Sequence, residues 1–157
     1  MKLEALHAHV EKLLERITGI TELSTDDEGN WLNFPFKRSV VYVRCVDHDA
    51  PRVFVFGVAA VDVPKSAELF LTLNEINSQL RYSRCYWGDG SVYVEMEHLG
   101  ETLDFEELEN LFYAIGRTAD HFGPLIVEEH GGHTPLDGES GSKADPPAAE
   151  KGTGLYL

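Results

Sequence analysis

The sequence is poor in cysteine, with only Cys45 and Cys85 in 157 residues. Both lie within apolar segments, where a reduced thiol behaves as a small hydrophobic side chain. A disulfide requires an oxidising compartment, and the N-terminal Met1-Lys2-Leu3-Glu4 lacks the basic and then apolar layout of a signal peptide. We therefore expect buried free thiols and a cytoplasmic protein.

Long apolar runs and an excess of positive charge are also missing. No apolar run approaches the roughly 18 residues that span a bilayer. The chain has 13 Lys and Arg residues against 27 Asp and Glu residues, which gives a formal net charge of −14. Such a surface repels the phosphates of nucleic acids and anionic lipid head groups, so neither nucleic acid nor membrane is an expected partner. The charge attracts basic segments of a partner protein, or it serves solubility alone.

The short motifs of catalysis and cofactor binding are absent as well. The sequence has no Gly-x-Ser-x-Gly elbow, phosphate loop or dinucleotide fingerprint, and no Cys-x-x-Cys pair for zinc. Asp47-His48-Asp49 falls in one solvated loop, and Glu128–His133 lacks a His-x-x-x-His pair on one helix face. A Cys-His dyad with partners far apart in sequence stays open. We expect no enzyme, no metal site and no cofactor.

Apolar residues at helical spacing predict three helices. Gly19 is placed to end the first, and Ser66 is placed as the N-cap of the second. The third begins near Asp104, with Glu107 at the spacing of a capping box, and Pro124 is expected to kink it or to start a new turn. The predicted helices run from Met1 to about Thr18, from Ser66 to about Leu80, and from Asp104 to Gly131-Gly132.

β-Branched and aromatic residues predict the strands. An Asp89-Gly90 pair between two alternating segments indicates a tight hairpin, because a type I′ turn needs positive φ. The order is helix, three or four strands, helix, two strands, helix, which predicts an α+β fold with an antiparallel sheet and helices mainly on one face. The predicted strands are Ile20–Ser24, Trp31–Phe36, Ser39–Val46, Arg52–Val61, Tyr82–Trp87 and Val92–Glu97.

The segment Arg52–Val61 is apolar on both faces. A solvated sheet is usually apolar on one face only. The face without helices would therefore leave an apolar patch of several hundred Å², which is large for a monomer. We expect a symmetric homodimer to bury this patch.

The composition changes after His133, where Gly, Ser, Pro, Ala and charged residues dominate. This divides the chain into a domain, residues 1–133, and a disordered acidic tail, residues 134–157. The tail ends in the apolar triplet Leu155-Tyr156-Leu157. Either the triplet is a frayed end, or it is a tethered peptide that docks on the binding groove of its own domain or a neighbour's.

A two-residue turn at Asp89-Gly90 fixes the hairpin register. It places aromatic, basic and acidic side chains together on the face opposite the core. Tyr and Arg are enriched at protein interfaces, although ordinary exposed cross-strand pairing gives the same pattern. The candidate partner-binding residues on this face are Tyr82, Arg84, Tyr86 and Tyr93, accompanied by Glu95 and Glu97.

Asn74 and Asn77 are three residues apart, so they lie at neighbouring positions on one helix face. They either hold the backbone of a partner by amide hydrogen bonds or satisfy local backbone groups at a sheet edge.

The segment Leu71–Tyr82, which contains Leu73-Asn74-Glu75-Ile76-Asn77, resembles the Leu-Asn-x-x-Asn signature of YbjN-like proteins. The resemblance is to actinobacterial members in particular, which are grouped with type III secretion chaperones as predicted peptide-binding chaperones. It continues through the hairpin to Ala119-Asp120 and ends at Gly131-Gly132. The element order α-β-β-β-α-β-β-α of the chaperone fold agrees with that predicted above. The resemblance implies a cytoplasmic, often dimeric protein that holds a client segment without catalysis. The alternative is a structural dimerisation or regulatory module without a client.

Overall fold

The structure is a computed structural model that describes residues 1–136, apart from the side chains of Leu32 and Asn33. Its element order confirms the predicted α+β fold. The predicted boundary after residue 133 stays a prediction, and residues 137–157 lie outside the described part. The elements are α1 Leu3–Thr18, β1 Asn30–Phe36, β2 Ser39–Asp47, β3 Pro51–Ala60, α2 Ala67–Gln79, β4 Arg84–Gly88, β5 Ser91–Leu99 and α3 Phe105–His130, with a 3₁₀ turn at Gly100–Thr102.

The five strands form one antiparallel sheet in the order β1-β2-β3-β5-β4. β3 is central, and its side chains point alternately to the two faces. Val53 and Val55 join the main core with α1, α2 and α3, whereas Phe54 and Phe56 join a separate apolar cluster on the other face. All three helices therefore pack on one side of the sheet, as predicted.

Glycines allow α3 to lie directly on β3. A Cβ at Gly123 would be 2.3 Å from the carbonyl oxygen of Ala59, and a Cβ at Gly57 would be 2.9 Å from Cβ of Ala119. Both distances are shorter than real Cβ contacts, so the helix backbone and the strand backbone approach each other because these positions lack side chains.

The predicted helix caps are confirmed. The backbone N–H of Leu69 donates to the Ser66 hydroxyl at 3.0 Å, and Asp104 and Glu107 form both hydrogen bonds of a capping box. Gly19 ends α1 in the left-handed conformation with φ 71°. Local sequence chemistry thus sets where the helices begin and end.

Pro124 lies inside α3, which continues to His130, next to the predicted end at Gly131-Gly132. The kink expected at Pro124 stays a prediction. Gly123 and Ile126 on either side of it are buried, and this packing outweighs the hydrogen bond that a proline removes. One local prediction is wrong, because Ile20–Ser24 forms no strand. Glu22 has a left-handed φ of 60°, which interrupts the extended conformation that strand pairing requires.

Candidate functional site

The side of the sheet opposite the helices, which we call the second sheet face, carries an apolar cluster. The described helices contribute no residue to it, yet its side chains are at most 8% exposed. This corrects the expectation of an open patch of several hundred Å², because the cluster has little accessible surface within the chain. Its buried members are Val40, Tyr42, Phe54, Phe56, Val58, Val61 and Tyr93, and the partly buried Val46 and Tyr86 pack against them.

Arg44 places a positive charge beside this cluster. Its guanidinium lies 5.5 Å from the ring centre of Phe56 and donates a hydrogen bond to the side-chain oxygen of Asn30. Burial lowers the pKa of Arg44, while the negative charges of Glu28 and Asp26 act to raise it. A buried charge requires partners of this kind, and the cluster therefore combines apolar surface with a fixed cation.

The β4–β5 hairpin has the predicted register. Arg84 pairs with Glu95, Tyr86 with Tyr93 and Trp87 with Val92. The ladder of β4 with β5 begins at Arg84, so Tyr82 lies before the strand, with 85% of its surface exposed. The structure thus brings three of the four candidate hairpin residues together in the ladder and leaves Tyr82 outside it.

Glu95 connects these hairpin residues. It is 5% exposed, forms an ion pair with Arg84, and accepts a hydrogen bond of 3.1 Å from the Tyr86 hydroxyl. The ring centres of Tyr86 and Tyr93 are 5.4 Å apart. Burial, followed by the charge of Glu95, raises the pKa of Tyr86. The predicted hairpin register already placed Glu95 opposite Arg84, and this position indicated the ion pair.

A groove of about 260 Å³ adjoins this group of side chains. Its walls combine an aromatic residue from the second sheet face with charged residues of both signs. Because the β4 ladder begins at Arg84, the outer side of β5 beyond Glu95 lies along this groove. Phe54 and Met96 were not predicted as groove residues, since strand propensity does not show where the β4 ladder ends. The groove is lined by Phe54, Arg81, Tyr82, Ser83, Arg84, Glu95, Met96 and Glu97.

Asn77 occupies a different place, at the outer edge of β4. Its side-chain NH₂ donates to the carbonyl oxygen of Cys85, and its side-chain oxygen accepts from the N–H of Cys85, both at 2.8 Å. Asn77 therefore satisfies local backbone groups at a sheet edge, which was the second of the two expectations for the asparagines. Asn74 is exposed on α2, and the structure does not place either asparagine in the groove.

Replacing Asn77 by Ala is expected to lower the free energy of unfolding by about 2 kcal/mol. The change removes both side-chain hydrogen bonds to the partly buried backbone of Cys85, and a backbone group whose partner water does not replace costs about 1–3 kcal/mol. Asn74→Ala is the matched control and is expected to change stability by less than about 0.5 kcal/mol. Urea denaturation of both variants measures this, and equal effects would contradict a special role for Asn77.

The side chains that chemistry would use are dispersed or inactive. Burial raises the pKa of Cys45 and of Cys85 to about 12, so neither is a thiolate near neutral pH. The Nε2 atoms of His130 and His133 lie 2.8 Å from Thr72 and Asp62 respectively. Within residues 1–136, no three His, Cys, Asp or Glu side chains converge on a metal position.

Both thiols are therefore expected to resist Ellman's reagent at pH 8 while the chain is folded. In guanidinium chloride both are expected to react within minutes, because unfolding returns their pKa to the ordinary range. The absorbance of the coloured thiolate released from the reagent measures how many cysteines react in the folded chain and how many react in the unfolded chain. Rapid reaction of one thiol in the folded chain would contradict the burial of that cysteine.

The fold is that of type III secretion chaperones. The chain is similar to a chain of the ExsC–ExsE complex, with a TM-score of 0.62, 19% identity, and coverage of 77% of this chain and 96% of that one. The HopA1–SchA chaperone–effector complex gives a TM-score of 0.57 at 13% identity, covering 82% and 98%. The Yersinia pestis type III secretion chaperone SycH, in complex with a fragment of YscM2, gives 0.52 at 17% identity, covering 69% and 95%.

The family follows from the sequence match. Residues 4–138 match the family described as T3SS (YopN, CesT) and YbjN peptide-binding chaperone 1, and the chain belongs to that family. This confirms the resemblance drawn from the Leu-Asn-x-x-Asn segment. It also confirms the prediction of a non-catalytic, chaperone-like domain that binds peptides or proteins. No curated protein matches the chain significantly. None of the described helices is long and apolar enough to cross a membrane.

Proposed function

We propose that the chain holds an extended, apolar segment of a client protein in the groove and on the adjoining second sheet face. The cluster on that face is buried in the free chain, so the client reaches it by displacing what covers it. The observation that carries this proposal is the continuity between the groove and the face. Phe54 belongs both to the apolar cluster and to the groove wall, next to Arg84 and Glu95. Apolar and aromatic side chains supply contact area for a client, and the charged pair gives it polar partners.

The edges formed by β4 and β1 favour binding on the sheet face over strand addition. At the β4 edge, Asn77 already bonds both backbone groups of Cys85. At the other edge, β1 contains Pro35, which has no N–H, and a bulge between Trp31 and Phe34. Proline, bulges and short strands all reduce pairing with an added strand, so side-chain contacts are the expected basis of client binding.

The formal net charge of −14 adds a preference among clients. An acidic surface raises the association rate of positively charged partners, and salt weakens this effect. The proposed client segment is therefore apolar in its centre and carries basic residues at its ends.

Titration calorimetry with synthetic 12-residue peptides tests this proposal. A peptide with an apolar and aromatic centre and Lys at both ends is expected to bind with micromolar affinity. The same centre with Glu at both ends is expected to bind at least about tenfold more weakly at low salt. Binding of neither peptide, or equal binding of a peptide with a Ser-rich centre, would contradict the proposal.

The alternative function, a dimerisation module, is favoured by two adjacent apolar residues on α2. Phe70 and Leu71 are 42% and 67% exposed. We propose a homodimer that buries this pair, since a symmetric dimer is the commonest way to cover an apolar surface. Sedimentation at micromolar concentration is expected to show a dimer that Leu71→Glu converts to a monomer. A wild-type chain that is monomeric throughout this range would contradict the dimer.

We also propose that the chain works in the cytoplasm. Cys45 and Cys85 are both free, and free thiols persist in a reducing compartment. Fractionation of the producing cells tests this, and recovery of the chain outside the cytoplasmic fraction would contradict it.

A further inference from the structure

We propose that the C-terminal triplet Leu155-Tyr156-Leu157 docks on the second sheet face of its own chain. The docking itself needs no client. Its consequence, competition between the triplet and a client, rests on the function proposed above.

The burial of the second sheet face is the first observation. Val58 and Tyr42 are 0% and 2% exposed, although the described helices lie on the other face. Cross-strand neighbours shield the sides of a side chain on a sheet, but its outward end stays in contact with water unless something packs above it. A further segment of chain packed over this face would account for the low exposure of its side chains.

The path of the chain is the second observation. Val61, a member of the apolar cluster, forms paired backbone hydrogen bonds with His133, with N···O distances of 2.8 and 3.0 Å. Thr134 is 4% exposed. The described chain therefore ends at the rim of the second sheet face, at the end of the central strand β3.

The length of the remaining chain matches the distance it must cover. Residues 137–154 separate the described chain from the triplet. A flexible segment of this length spans about 5–6 Å × √n, or roughly 23 Å. Five strands at about 4.8 Å spacing make a sheet about 19 Å wide, so the triplet reaches every strand of the face.

The chemistry of the triplet matches the face. In an extended segment Leu155 and Leu157 share one side, which suits an apolar cluster, and Tyr156 points the other way.

The test compares amide spectra of the ¹⁵N-labelled full chain and a chain that lacks residues 155–157. We expect the deletion to shift the amide signals of Tyr42, Phe56 and Val58 in the second sheet face. Glu150→Gln, which leaves the triplet intact, is the control and is expected to leave them unchanged. Unchanged signals after the deletion would overturn the proposal. Circular dichroism verifies that each variant is folded.

The second arm uses the synthetic peptide Gly-Thr-Gly-Leu-Tyr-Leu, which copies residues 152–157. When added to the truncated chain, it is expected to return the shifted amide signals to their positions in the full chain. It is expected to bind the full chain about tenfold more weakly than the truncated chain, because tethering gives the triplet an effective concentration near millimolar. Equal affinity for both chains would overturn the proposal. Shifts that depend on protein concentration would also overturn it, in favour of docking on a second copy.

The Lys-flanked peptide separates this proposal from the client-binding function. If it binds both chains equally and the deletion moves no signal, the triplet does not dock but the client-binding function stands. If the deletion moves the face signals but the Lys-flanked peptide binds neither chain, the triplet docks and the client-binding function fails.

Discussion

Gly123→Ala is expected to destabilise the chain by about 2 kcal/mol, although alanine is the better helix former. A Cβ at this position would lie 2.3 Å from the carbonyl oxygen of Ala59. That oxygen belongs to the central strand of the sheet, so the clash cannot be relieved by a side-chain rotation. Overpacking of this kind costs about 1–3 kcal/mol or more, against about 1 kcal/mol gained from helix propensity.

Two further glycines provide graded controls in the same urea denaturation experiment. A Cβ at Gly116 would lie 2.6 Å from the ring of Phe36, which is only partly buried and is able to move, so a loss of at most about 1 kcal/mol is expected. A Cβ at Gly88 would have its nearest neighbour at 3.8 Å, and a change within about 0.5 kcal/mol is expected. A higher stability for Gly123→Ala would contradict direct contact between α3 and β3.

Replacing Tyr86 and Tyr93 together by Ala is expected to weaken binding of the Lys-flanked peptide about 30-fold. The two rings lie 5.4 Å apart. Tyr93 belongs to the apolar cluster, and Tyr86 packs against the cluster and donates a hydrogen bond to Glu95. Buried aromatic residues at the centre of an interface contribute about 2 kcal/mol or more, which corresponds to this loss of affinity. Titration calorimetry measures it.

Two variants separate loss of the binding surface from loss of the fold. Tyr113→Ala removes an aromatic ring that packs against Phe112 on α3, away from the second sheet face, and is expected to leave peptide affinity unchanged. Tyr86→Phe removes only the hydroxyl that donates to Glu95 and is expected to weaken binding by less than about threefold. If Tyr113→Ala and the double variant weaken binding equally, the effect comes from general destabilisation.

Features set by neighbouring residues could be predicted from the sequence. The capping box of Asp104 and Glu107 and the hairpin register set by Asp89-Gly90 depend on a few adjacent positions. The α+β class followed in the same way, because helical and strand periodicities alternate clearly along the chain. The Leu-Asn-x-x-Asn segment around Asn77 indicated the family that residues 4–138 match.

Features set by tertiary contacts could not be predicted. The direct contact of α3 with β3 depends on the missing side chains of Gly57 and Gly123, and helical periodicity alone does not indicate it. The groove forms because β4 begins at Arg84 while β5 continues to Leu99, and strand propensity does not locate that end. The apolar faces of β3 were predicted, but the low exposure of Val58 on the second sheet face was not.

The central claim is that a peptide binds on the second sheet face and not on the helices. Photo-crosslinking tests it most directly, with a benzoylphenylalanine at the centre of the Lys-flanked peptide and mass spectrometry to locate the adducts. Adducts are expected on β2, β3 and β5, at or beside Tyr42, Phe54 and Tyr93. Adducts confined to α1, α2 or α3 would contradict it.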